Sequence, residues 1–239
     1  QELLDMGVGR LPAKSEYEAE VMVDKCIQYK TLSNKGEWRS SISFLGDDED
    51  DDIHFRDSER LGDVVENEFP PFNVNKIYFD AYKQVSLGNG NAYPDVNEAI
   101  NNAITKGTLV FNYLGHGGGS GMGHERVVTR PQILAWKNYD RLCFFVTGTC
   151  DLAQFDNPKE ESPGELMMIN DQGGAIGMMT TTRKVYIGTN TSFSEVLFKN
   201  NLFAKSGKGF MPFGQAYANV KNVMWGTPNV RNYVMFGDP

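Results

Sequence analysis

Two apolar runs set the frame of this chain. The first is Thr108-Leu-Val-Phe-Asn-Tyr-Leu114, followed by Gly115-His116-Gly117-Gly118-Gly119. The second is Leu142-Cys-Phe-Phe-Val-Thr-Gly-Thr149, followed by Cys150-Asp151. Each has the length and the β-branched and aromatic content of a buried strand. The pattern therefore predicts two core strands, one leaving at a histidine and the other at a cysteine. In a parallel α/β sheet the loops at the carboxyl ends of neighbouring strands form the ligand crevice.

The rest of the pattern alternates between strand and helix. Leu3 to Pro12 reads as a short strand stopped by the proline. Ser15 and Glu18 form a capping box, and Ala19, Met22, Val23, Cys26 and Ile27 recur at helical spacing to about Lys30. A loop at Asn34-Lys-Gly36 precedes a strand over Ser41–Leu45. A helix through Leu61, Val64, Val65 and Phe69 ends at Pro70-Pro71. A short strand follows at Lys76–Phe79, then a loop at Leu87-Gly-Asn-Gly-Asn91. Asp95 reads as the cap of a helix faced by Val96, Ala99, Ile100, Ala103 and Ile104, which Gly107 ends. A helix near Pro131–Trp136 leads to the second long strand. Ser162, Pro163 and Glu165 start another helix. Ala175–Thr182 reads as a fifth strand, with helices near Ser192–Phe203 and Phe213–Val223 and a last strand at Tyr233–Phe236. Strand–helix–strand order predicts an α/β fold, a mostly parallel sheet with helices on both faces.

At 239 residues the chain can bury the core of one such domain. Its formal charge is −8, and Lys and Arg do not cluster, which argues against nucleic acid. No apolar run approaches the roughly 18 residues that span a bilayer. The chain opens on Gln1 without a signal peptide, so it reads as a piece of a longer protein. Asp47-Asp-Glu-Asp-Asp-Asp52 puts six carboxylates in a row. They must be solvated or hold a cation such as calcium, although the spacing is not that of an EF-hand.

The chemistry gathers at His116 and Cys150. A thiol is a useful nucleophile only as thiolate, which a neighbouring imidazole stabilises. The imidazole can then protonate a leaving amine. The amides of Gly117 and Cys150 are candidate donors to an oxyanion, and Gly118 and Gly119 leave room for a substrate backbone. Singly, a strand-end histidine is more often structural and a lone cysteine more often core filler. Cys26 and Cys143 fit that bland reading. Neither a P-loop nor a dinucleotide fingerprint is present. A metal site from His116, His124, Cys150 and Asp151 is disfavoured, because His124-Glu125 lacks the second histidine of a zincin helix. No third residue to orient His116 can be read; Asp48 and Asp50 are no more than guesses.

A strand ending in His-Gly followed by a strand ending in Cys resembles the caspase-like peptidases. Met6-Gly-Val-Gly-Arg-Leu-Pro12, Asn112-Tyr-Leu-Gly-His-Gly-Gly118 and Gly173-Gly-Ala-Ile-Gly177 are similar to the gingipain family. His124-Glu-Arg-Val127, Cys150 with Phe155-Asp156, and Gly174 to Arg183 resemble its PorU-like branch, the sortase-like peptidases of type IX secretion in Bacteroidetes. The resemblance implies a caspase-like three-layer fold over 1–239, with His116 as base and Cys150 as nucleophile. It implies a cell-envelope or extracellular enzyme that removes the C-terminal sorting domains of secreted proteins, working with other secretion components. It implies transfer of the acyl group to a lipopolysaccharide amine as an alternative to water. The substrate pocket would lie near Gly118, Thr181, Thr182, Arg183 and Tyr186, where Arg183 and Lys184 would repel a basic side chain. A non-catalytic module that docks cargo tails is the alternative reading.

Overall fold

The computed structural model describes residues 3–31, 36–88, 90–206 and 209–239. Its central sheet is built from β1 (Ser41–Gly46), β2 (Asn73–Tyr78), β3 (Val110–Leu114), β4 (Cys143–Gly148), β5 (Ala175–Thr181) and β6 (Tyr233–Phe236). Their order across the sheet is β6-β5-β4-β3-β1-β2. The pairs are parallel except β5 with β6, which is antiparallel. The helices are α1 (Glu16–Thr31), α2 (Ile53–Glu68), α3 (Pro94–Lys106), α4 (Arg130–Ala135), α5 (Pro163–Ile169), α6 (Ile187–Asn200) and α7 (Phe213–Val223). Among the described residues, no helix is long and apolar enough to cross a membrane.

Strand side chains alternate between two cores. Cys143 and Phe145 of β4 join Phe111, Tyr113 and Met178 on one face, under Met22 of α1, Ile100 of α3, Ile133 of α4 and Met167 of α5. Phe144 and Val146 join Phe44, Val110 and Met179 on the other, under Leu61 of α2, Phe193 and Leu197 of α6, and Val220 of α7. The result is the predicted three layers, and the continuous apolar strands follow from burial on both faces. The predicted capping box of α5 is present: Ser162 accepts from the Glu165 amide at 3.4 Å, and Glu165 accepts from the Ser162 amide at 2.7 Å.

Several local expectations are corrected. Leu3 to Pro12 forms no strand beyond a single bridge of Arg10 to Phe236. Among its described residues only Arg10 hydrogen-bonds to the sheet, at Met235 and Gly237, while Gly7 and Gly9 lie so close to Gly214 and Gly237 that a Cβ on either would collide. Helix α1 is present but rolled: it buries Val21, Met22 and Lys25, while Val23 and Ile27 are exposed. Cys26 is only partly buried. Tyr93, not Asp95, caps α3; Pro94 opens the helix and Asp95 sits in its first turn. The expected loop at 87–91 is a hairpin pairing Val85–Leu87 with Gly90–Ala92, its Asn89 outside the described residues. Asn34 and Lys35 also lie outside them. Helix α6 starts at Ile187, ahead of the expected Ser192.

Candidate active site

From β1 the chain crosses through α2 to β2 on one side, then returns through α3 to β3 on the other. The strand order reverses there, which opens a crevice at the carboxyl ends of β1 and β3. Gly46 pairs with Leu114, and Leu114 with Gly148. Three exit loops are therefore neighbours: Asp47–Asp52 after β1, Gly115–Gly119 after β3, and Thr149–Asp151 after β4.

His116 is held from below by the first residue of the acidic loop. Asp47 is fully buried and accepts from the His116 amide at 2.8 Å and from the Tyr113 hydroxyl at 3.0 Å. The same hydroxyl lies 2.6 Å from the His116 carbonyl. Burial, then the Asp47 charge, holds Tyr113 well above the ordinary tyrosine range, so it stays neutral. Gly115 permits the approach, because a Cβ there would lie 2.5 Å from Asp47 Cβ.

The imidazole is held by the next acids. Its Nε2 lies 2.8 Å from Asp50 Oδ2 and 3.4 Å from Glu49 Oε2. The bond to His116 is the main cause of the lowered Asp50 pKa. Asp50, Asp51 and Asp52 take φ of 59°, 54° and 61°. Three successive non-glycine residues in the left-handed region store strain, which marks functional loops. His54, at the start of α2, meets the His116 ring edge-on at 5.4 Å. His124 stacks on it at 4.7 Å. His124 Nδ1 is 2.7 Å from Glu49, and that bond raises its pKa. Burial lowers the pKa of His54.

Cys150 is partly buried, with Sγ 3.9 Å from the Val185 carbonyl. Asp151 follows with φ 51°, a sharp turn directly after the thiol. Among the described residues there is no hydrogen bond between His116 and Cys150; such bonds often form only with substrate in place. Gly117 opens a ribbon in which Gly117–Gly118 pairs with Gly121–Met122. A Cβ on Gly117 would lie 2.5 Å from Thr149 Oγ1, so only glycine lets this ribbon rest against the Cys150 loop. A Cβ on Gly118 would meet open space.

The remaining predicted residues differ in setting. Thr181 is fully buried and donates to the Thr149 carbonyl, bracing the cysteine loop without facing solvent. Thr182 donates to the Asn232 carbonyl at 3.2 Å. Tyr186 is 71% exposed at the head of α6. Arg183 forms a two-pronged pair with Asp156, at 3.0 Å and 2.5 Å. That pairing offsets the charge on which the exclusion of basic side chains rests. Cys143 is fully buried, and burial pushes its thiol far up, as expected of a core cysteine. The Asp47 contact, the Tyr113 brace and His54 were not identified from sequence. Only His54's place beside the acidic run pointed there. Asp47, Asp48 and Glu125 form a separate carboxylate group with donor atoms within 4.8 Å of one another.

The family model described as peptidase family C25 matches residues 1–239. The chain belongs to this family. No curated relative matches it. Among solved structures, this C25 chain is similar to the Arg-specific cysteine proteinase gingipain R (RgpB), at 16% identity and TM-score 0.77. The match covers 98% of this chain and 54% of that one. The complex of Porphyromonas gingivalis RgpB pro- and mature domains matches at 15% identity and TM-score 0.77, over 98% and 55%. A separase from Saccharomyces cerevisiae, in complex with securin, matches at 14% identity and TM-score 0.55, over 91% of this chain and 13% of that one. The C25 chain thus spans about half the length of the gingipain structures it matches, and shares their caspase-like fold.

Proposed function

We propose that this C25 chain is a cysteine endopeptidase acting through Cys150 and His116. The observation that carries the reading is that the two residues leave adjacent parallel strands, with Asp50 on the far nitrogen of the imidazole. With Nε2–H donating to Asp50, Nδ1 is left with the lone pair that takes the thiol proton. The thiolate attacks the scissile carbonyl, and the amides of Gly117 and Cys150 receive the oxyanion. His116 returns its proton to the leaving amine, and an acyl-enzyme remains on Cys150. Water or a second amine then releases it.

The finer reading is a sortase-like role at the cell envelope or its outer surface. Sorting domains are cut from secreted proteins, other secretion components deliver them, and a lipopolysaccharide amine is the acceptor. The residues shared with the PorU-like branch support it. Gly118, Thr182, Arg183 and Tyr186 border the proposed substrate cleft. A calcium ion fits the Asp47, Asp48 and Glu125 end of the acidic loop, where Asp48 Oδ1 and Glu125 Oε2 are buried without hydrogen-bond partners.

Iodoacetamide labelling against pH tests the dyad. Cys150 is expected to react well below the roughly 8.5 pKa of a free thiol, and to lose that reactivity in His116→Ala. Ordinary reactivity in both proteins would favour the docking module. Incubating cleaved cargo with an added amine, followed by mass spectrometry, separates transpeptidation from hydrolysis.

A further inference from the structure

All three histidines of the chain meet at the acidic loop. His54 is 3% exposed, and its Nε2 is buried without a hydrogen-bond partner. That nitrogen points toward Asp50, 3.4 Å from Oδ2, across from the His116 ring. A buried imidazole nitrogen without a hydrogen bond, set beside a carboxylate and a second imidazole, brings together the kinds of atom that ligate a metal.

We propose that Asp50, His54 and His116 form a zinc-class divalent metal site that switches the peptidase off. The donor atoms of these residues lie within 4.8 Å of one another. Tetrahedral zinc with bonds near 2.0–2.2 Å holds neighbouring donors about 3.4 Å apart. The His54–Asp50 separation is already 3.4 Å, and the His116–Asp50 pair must open only from 2.8 Å. A fourth ligand, and a second oxygen, can come from Glu49, whose Oε2 lies 3.4 Å from His116 Nε2 and 2.7 Å from His124 Nδ1. Imidazole nitrogens with one or two carboxylates suit zinc and its neighbours better than calcium or magnesium. This site is separate in its donors from the all-oxygen group of Asp47, Asp48 and Glu125.

The consequence for chemistry follows from the tautomer. A neutral imidazole has one lone pair and one N–H. With metal on the Nε2 lone pair, the proton moves through solvent to Nδ1. His116 then has no lone pair to accept the thiol proton, and Asp50 leaves the ring for the metal. This inhibitory step rests on the dyad reading above, whereas the metal site itself does not.

Calorimetric titration of the purified protein with Zn²⁺ tests the site directly, with Co²⁺ absorption reporting geometry. Wild type is expected to bind a single ion with tetrahedral Co²⁺ spectra. His54→Ala and Asp50→Asn should each weaken Zn²⁺ at least about 10-fold, while His124→Ala stays within about 3-fold. Absence of binding, unchanged affinity in His54→Ala, or loss confined to His124→Ala would overturn the proposal. If circular dichroism shows that His54→Ala does not fold, the exposed Asp50→Asn decides alone. Zn²⁺ should also stop peptide cleavage, with chelator restoring it. Binding without inhibition would keep the site and refute the role of His116 as base.

Discussion

At the scale of single residues, His116 is positioned from two directions, and each can be cut separately. Asp50→Asn keeps the shape of the contact but removes the carboxylate charge beside the imidazole. Its kcat/KM on a peptide substrate should fall roughly 10- to 100-fold, with near-normal circular dichroism. Because His116 depresses the Asp50 pKa, the charged contact is present above its ordinary value of 3.8 and is lost only as pH falls below it. Gly117→Ala acts on the other loop. The new Cβ would push on Thr149 and on the Gly121 carbonyl at 2.9 Å. Overpacking of this kind costs about 1–3 kcal/mol, read as a lower denaturation midpoint, and should displace Cys150 enough to slow cleavage more than it weakens binding. The pair His116 and Cys150 was legible in sequence because each ends a long apolar run. Asp47 was not singled out and Asp50 was named only as a guess beside Asp48, because six consecutive carboxylates look alike until the loop's turn assigns each its partner.

At the scale of elements, α1 shows what periodicity can and cannot say. The capping serine was readable: Ser15 accepts from the Glu18 amide at 3.2 Å. The buried face was not, because a lysine occupies its centre. Lys25 is 1% exposed and donates to the Met167 and Met168 carbonyls at the end of α5, at 3.3 Å and 2.8 Å. Hydropathy counts it as surface, yet those carbonyls have no helical partner of their own and carry the negative end of α5. Burial lowers the Lys25 pKa from 10.5 to about 7. Between those values the unfolded chain binds the extra proton, so stability should climb as pH rises from 7 toward 9. The climb is at most about 1.4 kcal/mol per pH unit. Urea melts of wild type and Lys25→Met at each pH, taken as a difference, remove titrations common to both. A flat difference would show that Lys25 stays charged in the folded protein. The ribbon at 117–129 and the hairpin at 85–92 escaped prediction for a different reason: strands of two or three residues carry no usable period.

At the scale of the whole molecule, a mostly parallel sheet with helices on both faces was legible from the alternation of strands and helices. The two-sided cores followed from strands without a polar face. The N-terminal segment did not follow, since its apolar residues look like a strand while its glycines bring it against α7 and the end of β6. Charge is the other global property. With a net charge of −8 concentrated partly at one crevice, the fold should respond to cations as a unit. Calcium at about 100 times its dissociation constant should add roughly 2.7 kcal/mol, raising the melting temperature by several degrees. Glu125→Gln should remove most of that rise without lowering the midpoint in EDTA. An equal rise in the variant would place the ion elsewhere.

The left-handed run at Asp50 to Asp52 also limits what evolution or a designer can write there. Asparagine, aspartate and glycine tolerate such dihedrals, whereas β-branched and bulky residues do not. A selection for folded protein from a library randomised at these positions should therefore return that small alphabet at Asp51 and Asp52. A selection for cleavage should narrow it further at Asp50 alone, to the acid. The second half of the acidic run would then be spelled by two separate constraints, backbone shape at all three of its positions and charge at Asp50.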